Sequence, residues 1–478
     1  MFDYRAFATR KLAAIGPRYL PFADVATDDV PLSRLLRLSL FQVTVGMALV
    51  LLIGTLNRVM IVELQVPATL VACMLALPLV FAPFRTLIGY KSDTHVSALG
   101  LRRVPYIWKG TLCQFGGFAV MPFALLVLSG YGDAVDAPRW IGYCSAGLAF
   151  LMVGAGVHIV QTVGLALATD LVAEDDQAKV VGLMYVMLLL GMVVSALVFG
   201  ALLENYSPGR LIQVIQGCAV VTALLNLTAM WKQEARCRDR AKAMKIARHV
   251  DFSQAWRTLL GGQGMMRLLV LIGLGTFGFA MADVLLEPYG GQALGLSVAD
   301  TTKLTALFAT GTLLGFGLAS RVLGNGGSPA LLAMVATIIG VPGFAAIILS
   351  SLGGGIALFL AGTLATGFGA GLFGHATLTA TMRAAPKDRI GLALGAWGAV
   401  QATAAGIGIA LAGIVRDVVV GFQGQAGNTV ETPYIVVFMI EILFLIAAAL
   451  IVIPLVRRNA VTSVAAPYTA TTTGVETS

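Results

Sequence analysis

Apolar residues run along this chain in long stretches that charged residues rarely interrupt. The hydrocarbon core of a bilayer is about 30 Å thick, and a helix needs about 20 largely apolar residues to cross it. Twelve stretches of this kind are found, and we number them spans 1 to 12 in chain order. They lie near residues 38–57, 64–84, 104–129, 140–169, 180–203, 210–231, 267–287, 302–322, 329–350, 354–378, 390–415 and 433–456. The pattern predicts an all-α, polytopic membrane protein with twelve transmembrane helices.

The composition agrees with this prediction and excludes several classes of protein. Hydrophobic residues make up 58% of the 478 residues and charged residues 12%, whereas soluble domains carry about 25% charged residues. This balance excludes a soluble enzyme, a disordered chain and a nucleic-acid-binding domain. The sequence contains no Walker A motif, which disfavours an ATP-driven pump. The five cysteines are scattered without paired spacing, which argues against a disulfide framework and a zinc site.

The loops between the spans differ in their content of Lys and Arg, which sets the orientation of a membrane protein. Basic residues concentrate before span 1, in the loops after spans 2, 6 and 10, and after span 12. The loops on the other side contain few of them. Both termini are therefore predicted to be cytoplasmic, in agreement with an even number of spans.

Six spans, a basic loop and six further spans suggest two bundles in a parallel pseudo-repeat, the arrangement of the major facilitator superfamily. The predicted segments are a cytoplasmic N-terminal segment at 1–37, a six-helix bundle at 38–231, a basic linker at 232–266, a second six-helix bundle at 267–456 and a cytoplasmic tail at 457–478. From Arg5 to Phe22, basic residues interleave with apolar ones. This stretch predicts a helix on the membrane surface, where anionic lipids are the expected partners.

A short motif between spans 2 and 3 supports that fold. The signature of the superfamily there is a Gly, an Asp four residues later, then a Gly and paired basic residues. The chain has Gly89, Asp93, Gly100, Arg102 and Arg103 at these places. The gap between the Asp and the second Gly is longer than usual, so the match is partial. We interpret these residues as a signature of topology and conformational change.

Glycine is unusually frequent inside the spans, and the chain contains 55 glycines. Several are four residues apart, which brings two glycines to the same face of a helix. Small residues in this pattern let transmembrane helices approach closely. Close helix contacts are therefore predicted at three pairs. They are Gly311 with Gly315, Gly367 with Gly371, and Gly391 with Gly395.

Few polar side chains lie inside the spans, and each is a functional candidate because burying it in lipid is costly. His158 lies near the middle of span 4 with Gln161 on the same face, and His375 lies toward the cytoplasmic end of span 10. Two interpretations of His158 stay open: hydrogen bonding between packed helices, and axial ligation of a metallated macrocycle. The centres of spans 1 and 7, Val45–Gly54 and Leu271–Ala282, contain no ionisable or amide side chain. This disfavours sugars, amino acids and ions, and it favours either a large hydrophobic ligand or no ligand in the cavity at all. No metal bound directly by the protein is expected.

Three carboxylates form the second group of candidates. Asp283 and Glu287 are one turn apart near the outer end of span 7, where Pro288 is expected to end the helix, and Glu441 lies inside span 12. Asp283 and Glu287 either reach or pair at the outer surface, or they relay protons with Glu441. Proton relay keeps an alternative function open, a proton-coupled secondary transporter of a small amphipathic solute. The sequence offers no set of a nucleophile with a base that could carry out catalysis, so an enzyme is not expected.

Several long strings of residues are specific enough to indicate a family. Those in the first part of the chain are Pro21-Phe-Ala-Asp24, Leu32 to Gln42, Gly54 to Met60, Ala82 to Arg85, Gly89 to His95 and Arg103 to Trp108. Later strings are His158 to Thr162, Ala166 to Asp170 and Trp231 to Glu234. In these strings the chain resembles the PucC family, a bacteriochlorophyll-delivery branch of the major facilitator superfamily that includes the LhaA proteins. The resemblance covers essentially all twelve spans and is strongest in the first six.

The resemblance implies an assembly factor of phototrophic bacteria, located in the inner, intracytoplasmic membrane. Such proteins help to build light-harvesting complexes and bring bacteriochlorophyll to the antenna polypeptides. The implied cofactor is bacteriochlorophyll, for which His158, Gln161 and His375 are the candidate binding residues. The implied partners are light-harvesting antenna polypeptides, reaction centres and pigment-synthesis enzymes, with no nucleic acid. The core-antenna and peripheral-antenna branches both stay open.

Overall fold

The computed structural model describes residues 30–80, 88, 92, 101–130, 134, 136–173, 176–234, 264–384, 390–423 and 429–464. Within these ranges the regular structure is helical throughout. Span 1 comprises four consecutive segments, Leu32–Leu38, Leu40–Leu49, Val50–Leu56 and Val59–Glu63. Spans 2 to 6 are single helices at Ala68–Val80, Val104–Ser129, Arg139–Asp170, Gln177–Leu202 and Pro208–Met230. Span 7 comprises Met265–Ala280, Ala282–Val284 and Leu286–Ala293, and span 9 comprises Pro329–Leu349 and Ser350–Gly354. Spans 8, 10, 11 and 12 are single helices at Val298–Gly324, Gly355–Ala384, Ile390–Gln423 and Thr432–Val464.

Ten helical stretches of the described chain are long and apolar enough to cross a membrane. One of them, Pro329–Ala384, has 56 residues, which at about 1.5 Å per residue far exceeds a bilayer core. It turns back at Gly353 and Gly355, whose φ angles of 114° and 72° favour glycine, and its two arms pack along each other as spans 9 and 10. Span 2 is described only over Ala68–Val80. The all-α polytopic class is confirmed, and the count of twelve stays a prediction.

The ends of the spans meet at two opposite faces of the molecule. At one face, Arg103 at the start of span 3 lies 2.6 Å from Asp170 at the end of span 4, and Glu234 after span 6 binds the same corner. We call this face the basic side. At the other face, which we call the far side, Arg139 at the start of span 4 donates to the carbonyl of Leu64 after span 1 at 2.8 Å. The assignment of the basic side to the cytoplasm stays a prediction.

The two halves of the chain repeat one packing plan. In the first half, span 3 packs along spans 4 and 6, and span 1 packs along spans 5 and 6. In the second half, span 9 packs along spans 10 and 12, and span 7 packs along spans 11 and 12. The halves meet where span 2 packs on span 11 and where span 5 packs on span 8. Each contact recurs six spans later, which is the parallel pseudo-repeat expected from the sequence.

Glycines bring spans 8 and 10 into backbone contact. A Cβ on any of four glycines would collide with the backbone of the opposite span, so only glycine permits this crossing. The four are Gly311 and Gly315 on span 8 and Gly367 and Gly371 on span 10. On span 11, a Cβ on Gly395 would meet no described atom within 4 Å. Two of the three predicted pairs therefore form a close helix contact, and Gly395 does not.

Span 7 is not the continuous helix that the sequence predicts. It is interrupted by a short turn at Ala282–Val284 and resumes as Leu286–Ala293. Pro288 does not end the helix, because it stands in the first turn of the resumed segment, where a missing N–H costs little. Span 1, which faces this break, winds in wide π-type turns over Val50–Leu56 and Val59–Glu63. Wide turns of this kind are frequent at functional sites.

Some of the predicted features lie outside the described residues. These are most of the N-terminal segment with its surface helix, residues 235–263 of the linker, residues 465–478 of the tail, and Gly89, Asp93 and Gly100 of the signature. Arg102 and Arg103 of the signature are described. The boundaries of the five predicted segments stay predictions.

Candidate functional site

The break in span 7 frees backbone groups inside the membrane, and side chains of two neighbouring spans bind them. The N–H of Ala282 donates to Glu441 Oε1 of span 12 at 2.5 Å. The carbonyl of Val284 accepts from Asn57 Nδ2 of span 1 at 2.7 Å. Glu441 and Asn57 are both fully buried. Lipid offers no hydrogen bonds, so a break persists only where neighbours supply them, and broken helices form binding sites in many transporters.

Glu287 lies one turn after Asp283, on the segment that follows the break. Only 3% of Glu287 is exposed, and its Oε1 accepts from the hydroxyl of Thr305 on span 8. Gly54 of span 1 lies against it, since a Cβ on Gly54 would be 2.5 Å from Glu287 Oε1. Glu287 is therefore enclosed by spans 1, 7 and 8 and does not reach the surface, whereas Asp283 is half-buried.

Arg58 links the same part of span 1 to span 7 on the far side. Its guanidinium is 4% exposed and lies 2.5 Å from Glu63 Oε1. It also donates to the carbonyl of Leu296, after span 7, at 3.1 Å. A Cβ on Gly291 would be 3.1 Å from Arg58 Nε, so the guanidinium rests on the backbone of span 7. Burial raises the pKa of the nearby Tyr206 to about 12, with Glu63 adding to the rise and Arg58 opposing it.

A second polar cluster joins the halves on the far side. Asp417 near the end of span 11 accepts from the backbone N–H of Thr69 at 2.7 Å and so caps the start of span 2. Arg416 pairs with Asp417 at 2.8 Å and donates to Gln292 Oε1 at 3.2 Å. The hydroxyl of Tyr434 donates to the same oxygen at 2.6 Å. Spans 2, 7, 11 and 12 are thereby connected around the end of span 7.

The predicted pigment-binding residues of span 4 share one face of that helix. His158, Gln161 and Thr162 are half-buried, whereas the neighbouring Val157 and Val160 are buried. The spacing of three and four residues explains the shared face. An imidazole and an amide one turn apart can ligate or hydrogen-bond one ligand.

His375 lies on span 10, in the other half of the molecule. It is half-buried, and its ring centroid is 4.2 Å from that of Phe316 on span 8. The candidate binding residues are therefore divided between one span of each half.

Arg102 and Arg103 hold the basic-side ends of three spans together. Arg103 Nε lies 2.6 Å and Arg102 Nη2 lies 3.0 Å from Asp170 Oδ2 at the end of span 4. Glu234, after span 6, accepts from the backbone N–H groups of Arg102, Arg103 and Val104 at 2.8, 3.0 and 3.0 Å. These N–H groups begin span 3 and have no partner within the helix. The described part of the signature is thus an ion-paired helix cap inside the first half.

Sequence reasoning missed a buried polar network in the first half. Asn226 Oδ1 of span 6 accepts from Thr44 of span 1 at 2.9 Å, and Asn226 Nδ2 donates to Thr111 of span 3 at 3.0 Å. All three side chains are buried. Asn57 was missed in the same way, and the one available signal was an Asn within an apolar stretch, which lipid tolerates only when it is bonded.

The chemistry available at these sites is ligand binding and proton binding. Among the residues that the structure describes, no three side chains of His, Cys, Asp or Glu lie close enough together to hold a metal ion. The far side holds buried carboxylates, which can bind protons. Span 4 holds an imidazole and an amide, which can bind a macrocycle.

Comparison with solved structures establishes the fold. The chain is similar to the crystal structure of a mutant of the nucleoside transporter NupG, with a TM-score of 0.67, 14% identity, and 88% of this chain and 99% of that chain covered. It is also similar to the crystal structure of a bacterial homologue of the human lysosomal transporter Spinster, with a TM-score of 0.64 and 17% identity. That comparison covers 88% of this chain and 95% of the other. At these identities the likeness shows the fold alone, and it confirms the expected major-facilitator-like architecture.

Comparison with curated proteins identifies the family. A distant relative, "Bacteriochlorophyll synthase 44.5 kDa chain" of Rhodobacter capsulatus, is 26% identical over 87% of this chain and 94% of its own length. "Protein PucC" of Rhodovulum sulfidophilum is 62% identical over 89% of this chain and 94% of its own length. "Protein PucC" of Rhodobacter capsulatus is 70% identical over 95% of this chain and 99% of its own length. The model of the family "PUCC protein" matches residues 55–460. The chain therefore belongs to the PucC family.

Proposed function

We propose that this membrane protein is a non-enzymatic assembly factor that binds bacteriochlorophyll and delivers it to light-harvesting antenna polypeptides. Membership of the PucC family supports this proposal, as does a distant relative whose name refers to bacteriochlorophyll. The observation that carries it is the half-buried face of span 4 formed by His158 and Gln161. Spans 1 and 7 offer no ionisable or amide side chain at their centres, so the interior suits a large apolar ligand.

The side chains on span 4 fit the chemistry of this pigment. When bound, bacteriochlorophyll would supply a magnesium ion that can take a nitrogen ligand, and ring carbonyls that can accept hydrogen bonds. The imidazole of His158 can ligate such an ion, and the amide of Gln161 can donate to a carbonyl. His375 is a second candidate ligand on span 10. Since each of these side chains is half-buried, a ligand can reach it while apolar neighbours limit the access of water.

Two side chains on one rigid helix would hold the pigment in a defined orientation. In this proposal His158 would hold the magnesium ion and Gln161, one turn away, would donate to a ring carbonyl, so that the pigment would have two contacts with one helix. A bond to a neutral imidazole is reversible, which suits a protein that passes its ligand on.

The proposal is tested by the pigment content of the purified protein. The protein is isolated in mild detergent from pigment-rich membranes, and the bacteriochlorophyll bound per polypeptide is measured by absorption. We expect His158→Leu to lower this ratio about ten-fold, the scale on which loss of ligand-orienting groups weakens metal sites. The matched control, His249→Leu, alters a histidine of the predicted linker and should leave the ratio unchanged. A pigment-free wild-type preparation would overturn the proposal.

The proposed partners are antenna polypeptides, reaction centres and pigment-synthesis enzymes, in an inner, intracytoplasmic membrane with both termini cytoplasmic. Affinity purification followed by identification of bound polypeptides tests this part. Antenna polypeptides should be enriched with the wild-type protein over His158→Leu if the pigment takes part in their capture. Normal antenna levels in a deletion strain would count against an assembly role.

One observation favours a second candidate, a proton-coupled transporter of a small amphipathic solute. Three carboxylates lie at the break in span 7: Glu441 is bonded to it, Asp283 lies in the turn itself, and Glu287 lies on the segment that follows. Proton relays in membrane carriers use such groups. Substrate-stimulated proton flux in proteoliposomes tests it, and no flux across a broad panel of solutes would count against it.

A further inference from the structure

Two buried side chains in the first half have polar atoms without a hydrogen-bond partner. Gln114 lies on span 3 and Thr222 lies on span 6, and each is 0% exposed. Neither the amide atoms of Gln114 nor the hydroxyl of Thr222 bonds to any residue that the structure describes. An amide or a hydroxyl in an apolar interior is costly unless it is bonded. These atoms therefore require a partner other than the described groups of the protein.

A direct bond between spans 3 and 6 fixes where these two side chains lie. Asn226 Nδ2 of span 6 donates to Thr111 of span 3 at 3.0 Å. Gln114 follows Thr111 by three residues, and Thr222 precedes Asn226 by four, so each lies one turn from the bond on the same helix face. The start of span 3 and the end of span 6 meet at the basic side, so the two helices are antiparallel. Both side chains therefore lie on the far side of the bond, at about 4.5 and 6 Å along the helix axes.

Span 4 encloses the same place from another direction. A Cβ on Gly156 of span 4 would be 2.7 Å from Gln114 Cγ and 2.6 Å from the carbonyl oxygen of Gly110 on span 3. Spans 3 and 4 are therefore in backbone contact beside Gln114, which suits only a very small molecule. Gly156 precedes His158 by two residues, and residues two apart do not share a helix face. The place is thus separated by span 4 from the predicted pigment-binding face.

The chemistry of these groups selects the molecule that can bind them. An amide offers two donors and an acceptor, and a hydroxyl offers one donor and two acceptor positions. The side chains bonded to each other one turn away, Thr44, Thr111 and Asn226, are also neutral. An ion among neutral groups would be buried without an opposite charge, which is costly. A water molecule both donates and accepts, and a buried water makes about three bonds to polar groups that are otherwise unsatisfied.

We propose that the first half contains a water-binding site between Gln114 and Thr222. The bound water bridges the amide of span 3 and the hydroxyl of span 6, and so continues the network around Asn226 by one turn toward the far side. Water-mediated hydrogen bonds are nearly as favourable as direct ones. Spans 3 and 6 are then joined at two successive levels, by a direct bond and by a water bridge. This site depends neither on the pigment nor on the carboxylates of the second half.

Radiolytic labelling of the full-length protein in detergent tests this site. X-ray exposure converts water into hydroxyl radicals, which oxidise the side chains beside that water, and mass spectrometry measures the oxidation. Phe118 follows Gln114 by four residues on the same helix face and is fully buried, so bulk water does not reach it. Phe150 of span 4 is also fully buried and lies six residues from Gly156. We expect Phe118 to be oxidised at least five-fold faster than Phe150.

Substitutions then show whether Gln114 and Thr222 hold the water. Gln114→Leu and Thr222→Val each remove one partner, and each should slow the oxidation of Phe118 at least three-fold. Thr222→Ser keeps the hydroxyl and should leave the rate unchanged. The matched control is Thr366→Val, which alters a buried threonine of span 10 whose hydroxyl bonds to the carbonyl of Thr363 in its own helix. It should leave the rate unchanged as well.

Equal oxidation of Phe118 and Phe150 in the wild type would overturn the proposal, and this comparison needs no variant to fold. An unchanged rate in either Gln114→Leu or Thr222→Val would overturn it too. The melting temperature gives a second measurement, because valine in place of an unpartnered hydroxyl stabilises a protein, whereas loss of a bond to water destabilises it. Thr222→Val should therefore melt at a lower temperature than the wild type, and a higher melting temperature would contradict the water site.

Discussion

The two halves share a packing plan but not the placement of their polar groups. In the first half, a neutral network around Asn226 lies inside the bundle, and ion pairs around Asp170 close its basic-side corner. In the second half, Glu287 and Glu441 are buried near the far side, beside a broken helix. The repeat therefore supplies the scaffold twice, and the chemistry is specific to each copy.

The first spans of the halves show the same difference. Span 1 continues through its wide turns at Val50–Leu56, whereas span 7 is interrupted at Ala282–Val284. The two irregular stretches face each other, with Asn57 bonded to Val284. Span 1 of the other half thus supplies one of the two side chains that bind the break, and Glu441 of span 12 supplies the second. The contrast teaches that the break depends on the other half and is not a property of span 7 alone.

The largest expected effect concerns the tightness of the crossings. A Cβ on Gly46 of span 1 would be 2.6 Å from the carbonyl oxygen of Leu188 on span 5. Gly46→Val should lower the free energy of unfolding by about 3 kcal/mol, because backbone atoms cannot yield. On span 7, a Cβ on Gly273 would be 3.8 Å from Val400, at an ordinary contact distance. Gly273→Val should therefore change the free energy of unfolding by less than about 0.5 kcal/mol. Thermal unfolding in detergent measures both, and equal losses would contradict the comparison.

The next effect tests the dependence of the break on span 1. Asn57→Leu removes the donor to the carbonyl of Val284 and leaves that buried oxygen without a partner. We expect the free energy of unfolding to fall by about 2 kcal/mol. Hydrogen exchange read by mass spectrometry should show faster exchange at Ala282–Val284 than in the wild type. Unchanged exchange there would mean that the break does not need Asn57.

A smaller effect is expected from the other buried asparagine. Asn226→Leu removes the partner of Thr44 and Thr111, but both hydroxyls also donate to their own helices, to Phe41 O at 2.7 Å and Ile107 O at 2.8 Å. The loss should be about 1 kcal/mol, since no donor is left unbonded. Measured beside Asn57→Leu, it should be the milder change. The reverse order would indicate that the network of the first half carries more of the stability.

The smallest effect concerns the basic-side end of the second half. Arg383 on span 10 is exposed and donates to the carbonyls of Leu323 and Gly327 at 3.0 Å each. Leu323 lies in the last turn of span 8 and Gly327 just after it, where a positive charge is favourable. Arg383→Gln should lower the free energy of unfolding by about 0.5 kcal/mol, which thermal unfolding in detergent measures. A loss as large as that of Asn226→Leu would show that this corner is fixed as firmly as the ion-paired corner around Asp170.

The fold was predictable because hydropathy and loop charge carry most of the information on a membrane bundle. The apolar stretches predicted span 4 at 140–169, and the helix is Arg139–Asp170. The order of the spans predicted the pseudo-repeat. The glycine spacing predicted the crossing of spans 8 and 10, but it failed at Gly395, because four-residue spacing does not say whether a neighbour lies opposite.

The break in span 7 was not predictable from the residues around it. In the sequence, Asp283, Glu287 and Pro288 predict the polar end of a helix. The groups that make a break stable at this place are Asn57 and Glu441, which lie 227 and 159 residues from their backbone partners. Such pairings depend on tertiary packing and leave no local pattern. The roles of His158, Gln161 and His375 stay predictions, since helix geometry places them without testing what they bind.

The cap that Asp417 provides for span 2 has a consequence for biosynthesis. Thr69 and Asp417 are 348 residues apart in the chain. At a synthesis rate of about 5–20 residues per second, the ribosome needs on the order of tens of seconds to supply the second after the first. The opening turn of span 2 therefore enters the bilayer unfinished and is completed by a helix made near the end of translation. A nascent chain stalled before span 11 would lack the carboxylate that binds the N–H of Thr69 in the complete protein.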